Sequence, residues 1–127
     1  MVDPDTDELV IVTKELSGVS AIYTTPRSDP GTFRRAGTVN LGIAALATGG
    51  DISADGRLVV VRTYGGVSLW DRAAGESLVD ALQGDPCAAP APSERQGEAI
   101  AFEADGAGYV TASEGAGPAL FEVRPTP

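Results

Sequence analysis

Charged and hydroxyl side chains recur where three apolar segments of this 127-residue chain end. The side chains at these positions are Lys14, Glu15, Arg62, Tyr64 and Glu114. Ammonium, guanidinium, carboxylate and phenol groups gathered at one level of neighbouring sheets suit either of two roles. They form a site for a polar ligand, or they form ion pairs and hydrogen bonds between the sheets, which is the commoner outcome.

Covalent and metal catalysis are not specified by any motif in the chain. There is no histidine, so a Ser-His-Asp triad is excluded, and the single cysteine, Cys87, has no histidine to activate it. The same counts exclude the common zinc sites. The segment Gly115-Ala116-Gly117 lacks the lysine of a phosphate-binding loop. Paired-carboxylate catalysis stays open, but the residues alone do not indicate an enzyme.

The elements that position these side chains are clearest in residues 51–72. Asp55-Gly56 is a hairpin signal, because glycine accepts the positive φ of a tight turn. The run 58–61, Leu-Val-Val-Val, suits a strand that is buried on both faces. Gly65-Gly66 predicts a second turn, and residues 67–71 alternate between apolar and polar. The segment therefore predicts a three-stranded antiparallel meander.

This pattern recurs on both sides of the central segment. Residues 100–106 match residues 50–56, and residues 109–115 match 59–65, at a spacing of 50 residues. An aromatic residue closes the third strand of each copy, and we expect all three to pack in the core: Tyr23, Trp70 and Phe121. A repeated meander of this length is typical of one blade of a β-propeller.

The predicted fold is all-β, with about ten short antiparallel strands in two and a half to three propeller-like blades. The strands of a blade are named a to d from the inner to the outer. Residues 3–42 form a partial blade with strands b, c and d; 43–93 form a complete blade; and 94–124 form a partial blade with strands a, b and c. A short helix is expected within residues 75–84, and the proline-rich residues 86–92 form either an edge strand, the outer strand of the second blade, or a linker. A β-sandwich of the same strands is the alternative. Three blades cannot close a ring of about four to eight, so we expect a larger protein or a homo-oligomer that completes the ring.

Composition and charge limit the partners. The net charge of −9 repels phosphate, which disfavours nucleic acids and anionic membranes. The longest nearly apolar run, residues 41–50, is too short to cross a bilayer, and no signal peptide is visible. We therefore expect a protein or a small polar ligand as the partner. With no cofactor motif present, the first functional hypothesis is a non-enzymatic binding or scaffold module.

The repeated segments resemble a known family in residues 48–57 (TGGDISADGR), 61–64 (VRTY), 69–71 (LWD) and 96–102 (QGEAIAF). The chain resembles the C-terminal half of exported bacterial β-propeller proteins of the WD-like, phytase-like or esterase-like type, with actinobacterial members closest. The resemblance implies an exported or extracellular location. It also implies an alternative function, as a fragment of a metal-dependent propeller hydrolase.

The same resemblance implies two metal ligands. In phytase-like propellers a glutamate at the start of the inner strand faces the central channel, and Glu98 occupies that position here. Ca²⁺ is the implied ion, because it takes hard oxygen ligands. Asp51 is the second candidate. Both carboxylates also have a purely structural interpretation, in which Glu98 accepts local hydrogen bonds and Asp51 stabilises its hairpin.

Overall fold

A computed structural model describes residues 1–125. In this part of the chain the regular structure consists of eleven β-strands and one short helix. The strands are β1 (Val2–Asp3), β2 (Glu8–Val12), β3 (Val19–Pro26), β4 (Arg34–Asn40), β5 (Ala47–Ile52), β6 (Leu58–Thr63), β7 (Gly66–Asp71), β8 (Cys87–Ala89), β9 (Gly97–Phe102), β10 (Tyr109–Ser113) and β11 (Leu120–Val123). The helix α1 (Leu78–Gln83) lies between β7 and β8.

The strands form three antiparallel sheets. Sheet 1 has the order β1-β2-β3-β4, sheet 2 the order β5-β6-β7-β8, and sheet 3 the order β9-β10-β11. Each sheet is a meander of consecutive strands, so the predicted all-β class is confirmed. Sheet 1 has one strand more than the sequence indicates, because Val2 and Asp3 pair with Leu9 and Glu8. A two-residue strand next to a proline carries no periodic signal by which it could be predicted.

Sheet 2 lies between the other two sheets, and β6 is its central buried strand. Val59 and Val61 belong to a core shared with sheet 1 and α1, whereas Val60 belongs to a core shared with sheet 3. All three valines are essentially inaccessible to solvent. The apolar run at residues 58–61 is therefore explained by burial of the strand on both faces, as predicted. Successive side chains of a strand point to opposite faces, and here both faces are covered.

The two Asp-Gly hairpins have the same hydrogen bonds at a spacing of 50 residues. Gly56 donates its N–H to the Ser53 carbonyl at 2.8 Å, and Gly106 donates to Glu103 at 2.9 Å. Both glycines have positive φ, 72° and 69°, which explains the requirement for glycine. The two hairpins, one in sheet 2 and one in sheet 3, therefore have the same local structure.

The helix α1 covers the junction of sheets 1 and 2. The Ser77 side chain caps the N-terminus of α1 by accepting the Asp80 N–H. The helix residues Leu78, Ala81 and Leu82 are buried. The strand β8 then pairs with β7 as the outer strand of sheet 2, as the prolines around it indicate. Within residues 1–125, no helix is long and apolar enough to cross a membrane.

The prediction of three aromatic core residues is correct for only one of them. Trp70 is 2% exposed, and its indole N–H donates to the Gly84 carbonyl at 3.1 Å. Tyr23 is half-buried. Phe121 is 38% exposed, so its assignment to the core was wrong. The difference arises because Trp70 is covered by α1 and sheet 1, whereas Phe121 lies on β11, the outer strand of sheet 3.

Candidate functional site

A chain of hydrogen bonds joins the three sheets at one end of the molecule. The Lys14 ammonium donates to the Tyr64 hydroxyl at 2.7 Å, and this hydroxyl donates to Glu98 Oε1 at 2.7 Å. Lys14 follows β2 of sheet 1, Tyr64 follows β6 of sheet 2, and Glu98 lies in β9 of sheet 3. Three of the residues predicted to act at strand ends or as metal ligands are therefore in direct contact.

A spacing of 50 residues places three side chains at one level. Lys14, Tyr64 and Glu114 lie 50 residues apart. They follow β2, β6 and β10, which are the second strands of sheets 1, 2 and 3. The Gly65-Gly66 turn holds Tyr64 there, and the Gly65 N–H donates to Thr63 Oγ1 at 3.3 Å. The local turn chemistry thus positions the phenol between the other two sheets.

Electrostatics keep the Lys14 side chain protonated. The hydrogen bond to Tyr64 raises the pKa of Lys14 above its usual value, partial desolvation opposes this, and the charges of Glu98 and Glu114 add to the increase. The ammonium nitrogen also lies 4.4 Å from the centroid of the Tyr64 ring, where a cation is attracted by the aromatic quadrupole. Lys14 is the only lysine in the chain.

Arg62, which the sequence assigned to the same group, lies elsewhere. It is 2% exposed and forms an ion pair with Glu94, whose Oε1 accepts a hydrogen bond from the Thr111 hydroxyl at 3.2 Å. Its guanidinium lies flat on Gly97, where a Cβ atom would fall 1.9 Å from Nη2. Arg62 therefore connects sheets 2 and 3 in the interior. Glu15 is exposed in the β2–β3 turn.

Both predicted metal ligands have protein donors. Glu98 accepts the hydrogen bond from Tyr64, and Asp51 Oδ2 accepts the backbone N–H of Phe102 at 2.8 Å. The Asp51 contact runs from β5 to β9 and so fastens sheet 2 to sheet 3. Within residues 1–125, no group of three or more His, Cys, Asp and Glu side chains is arranged to hold a metal ion. The calcium hypothesis stays a prediction.

Exposed apolar side chains lie beside the hydrogen-bonded chain, and the sequence analysis missed them. Leu16 is 75% exposed in the β2–β3 turn, and Ile43 is 94% exposed in the β4–β5 loop. The two turns pack together, since the Ala44 N–H donates to the Leu16 carbonyl at 3.2 Å. Ala44 has a φ of 61°, an unfavourable value for a residue with a Cβ atom, so the loop holds Ile43 outward at some conformational cost. The only sequence signal is an apolar residue inside each turn.

We define this end of the molecule as the rim. Its members are Lys14, Leu16, Ile43, Tyr64, Glu98 and Glu114. An open groove of about 440 Å³ begins at Ile43 of the rim and lies between the β4–β5 loop and the Gly65-Gly66 turn, with Ala44 and Ala88 also in its lining. The rim thus combines apolar side chains, exposed glycine backbone and a fixed pattern of charge.

No family model matches this sequence, and no curated protein matches it significantly. The proposed role of the rim therefore depends on its own geometry.

Proposed function

We propose that this protein is a non-enzymatic binding module built from blades of the β-propeller type, which holds a protein partner on the rim. The observation that carries the proposal is the position of Leu16 and Ile43. Both are displayed to solvent beside the Lys14–Tyr64–Glu98 hydrogen bonds. An apolar contact surrounded by fixed polar groups is the usual composition of a protein-binding surface.

The packing of the sheets supports the propeller part of the proposal. The first strands of successive sheets contact each other, β1 with β5 and β5 with β9. In a propeller the inner strands of neighbouring blades approach each other around the central axis in the same way. The Asp51–Phe102 hydrogen bond, which joins β5 to β9, also fits an arrangement of inner strands.

The hydrogen bonds of the rim favour recognition over catalysis. The Lys14 ammonium and the Glu98 carboxylate are already paired through Tyr64, so the phenol is fixed before a partner arrives. Preformed polar groups give orientation and specificity, while the exposed apolar side chains supply contact area. The net charge of −9 favours a partner segment that carries lysine or arginine.

The groove indicates the form of the partner. It is shallow and is lined partly by Gly65, Gly66 and Ala88, so backbone atoms are accessible along it. A peptide segment in an extended conformation can bond to such backbone while its side chains contact Ile43. We therefore propose that the partner contributes an extended, basic and partly apolar segment.

Selection from a random peptide library displayed on phage tests this proposal, with affinities measured by isothermal titration calorimetry. Selected peptides should be enriched in basic and apolar residues, and Ile43→Ser and Lys14→Ala should each weaken binding about tenfold or more. Arg27→Ala is the matched control for Lys14→Ala, because Arg27 is also an exposed cation, but its ion pair with Asp7 lies at the opposite end of β2 from Lys14.

Two results would overturn the proposal. The first is a library that yields no binder, and the second is binding that Arg27→Ala weakens as much as Lys14→Ala. A calcium titration tests the hydrolase alternative separately. If a specific site exists, millimolar Ca²⁺ should raise the melting temperature of the wild type but not that of Glu98→Ala.

A further inference from the structure

The stack of three sheets ends in two apolar faces that no part of residues 1–125 covers. The outward side of sheet 1 carries Leu9, Ile11, Ala21 and Tyr23, which the strand register places on one face. We call it the leading face. The outward side of sheet 3 carries Ala99, Ala101, Val110, Ala112 and Leu120, which also share one face by register. We call it the trailing face.

The leading face repeats a surface that is buried inside the molecule. Ile11 stands 50 residues before Val61, and both occupy the same place in their sheets. Val61 is 1% exposed because sheet 1 covers it, whereas Ile11 is 44% exposed. Tyr23, which pairs with Ile11, lies on the same side of sheet 1 as Trp70 does in sheet 2. The leading face therefore has the form that, in sheet 2, packs against the sheet before it.

The trailing face repeats the other half of the internal contact. Val110 stands 50 residues after Val60, whose side chain is buried between sheets 2 and 3. Leu120 pairs with Ala112 in the same way as Val67 pairs with Arg62, 50 residues earlier. Val67 is 5% exposed in the core shared by those sheets, yet Leu120 is 75% exposed. The trailing face therefore has the form that, in sheet 2, packs against the sheet after it.

Charges on the two faces have opposite signs. Arg35 is the register partner of Tyr23, so its side chain lies on the leading face. Glu122 is the register partner of Val110, so it lies on the trailing face. Arg124 pairs with both Glu122 and Glu103, so this cluster keeps a net negative charge. Opposite charges beside two apolar surfaces favour contact between unlike faces, and two leading faces or two trailing faces would bring like charges together.

We propose that two copies of this chain associate head to tail, with the leading face of each copy on the trailing face of the other. The contact continues the sheet-to-sheet packing already present twice inside the chain. Two copies supply six sheets, which falls within the range of about four to eight blades that close a ring. We infer that a second copy covers these faces, because the leading face has the form that packs on a trailing face, and an identical chain supplies both. The pairing rests on the blade part of the proposed function, not on the rim.

Two variants and their mixture test the pairing by sedimentation velocity. The wild type should have twice the 12.9 kDa mass of one chain. Ile11→Asp and Leu120→Asp should each be monomeric, because each damages both contacts of the closed pair. Mixed together, they should form a heterodimer, since one undamaged leading face and one undamaged trailing face remain. Leu16→Asp is the matched control: Leu16 is 75% exposed, like Leu120, but lies on the rim, so this variant should stay dimeric.

Circular dichroism of each variant establishes that it is folded before its mass is interpreted. A wild type that is monomeric at all concentrations overturns the proposal, as does a mixture that remains monomeric. A single variant that still dimerises shows like faces in contact and also overturns it. Failure here leaves the rim untouched, because peptide affinity is measured on the same proteins. Loss of peptide binding by a normal dimer counts against the rim alone.

Discussion

The Arg72 guanidinium donates to both carboxylate oxygens of Asp3, at 2.8 and 3.2 Å, and both side chains are almost completely buried. The contact joins β1 of sheet 1 to the end of β7 in sheet 2. Asp3 also accepts the Asp5 N–H at 3.0 Å and the Thr6 hydroxyl at 3.1 Å. Sheets 1 and 2 are thus joined by a buried ion pair whose carboxylate is fully satisfied, and Arg62–Glu94 is its counterpart between sheets 2 and 3.

Asp3 should give the protein an acid-sensitive component of stability. Burial raises the pKa of this carboxyl, but the bonds from Arg72, Asp5 and Thr6 outweigh it and hold the pKa below its ordinary value of 3.8. A group with a lowered folded-state pKa stabilises the fold above its unfolded pKa, and this contribution is lost as the pH falls through the folded-state value. Urea denaturation should therefore show a steep loss of unfolding free energy between about pH 5 and pH 2.

The substitution Asp3→Asn should lower the unfolding free energy at pH 7 by about 2 kcal/mol or more, because it leaves the buried Arg72 charge unpaired. It should also flatten the acid-dependent loss. Asp7→Asn is the control, since the Asp7–Arg27 ion pair is exposed and should contribute little. If the unfolding free energy of Asp3→Asn falls below pH 5 as steeply as that of the wild type, other carboxylates cause the acid sensitivity.

The Arg62–Glu94 pair should behave as a unit. Glu94→Leu should destabilise the protein by about 3–5 kcal/mol, because it leaves a buried guanidinium without a counter-charge. The double variant Arg62→Leu/Glu94→Leu should be more stable than Glu94→Leu, since it removes both buried charges. Urea denaturation of the two single variants and the double variant gives the coupling energy. Additive losses would contradict a direct interaction.

Gly97 should not tolerate a side chain. An added Cβ atom would lie 1.9 to 2.3 Å from three atoms of the Arg62 guanidinium. Gly97→Ala should therefore displace this group and cost about 1–3 kcal/mol. Gly65→Ala is the matched control, because nothing lies within 4 Å of the added atom, and its effect should be within about 1 kcal/mol of zero. Thermal unfolding monitored by the fluorescence of Trp70, the only tryptophan, compares the two variants.

Tyr64→Phe should change the Lys14 titration without unfolding the protein. The variant removes the hydroxyl that links Lys14 to Glu98, so the pKa of Lys14 should fall toward its ordinary value. Because there is one lysine, reductive ¹³C-methylation labels only Lys14 and the terminal amine, and NMR follows each during a pH titration. Tyr23→Phe is the control. An unchanged Lys14 titration in Tyr64→Phe would mean that the rim hydrogen bond does not persist in solution.

Most of the strands, and the common level of Lys14, Tyr64 and Glu114, were predictable for one reason. A spacing of 50 residues places equivalent residues at equivalent positions, so Lys14, Tyr64 and Glu114 fall at one level once the repeat is recognised. The same spacing indicated β5, β6, β9 and β10 before their pairing was seen. A constant spacing is informative in this way because similar segments form similar strands and turns.

The position of Arg62 was not predicted, because its local sequence resembles a strand end. It follows Val60 by two residues and so points toward sheet 3, but the continuous valine run hides this alternation. Its partner Glu94 lies in an irregular segment 32 positions later, where no periodicity applies. The apolar rim residues were missed for a similar reason, since the exposure of Ile43 depends on how two turns pack together.

The location of sheet 2 between two others has a consequence for how the fold opens. In a linear stack each layer is stabilised only by its neighbours, so the outer layers separate first and the middle one last. The amides of β6 should therefore exchange with deuterium only through the largest opening of the protein, and those of β3 and β10 through smaller, partial openings. Protection would then decline outward in both directions from Val60, and a partner chain that covers the ends would make exchange slower and more uniform.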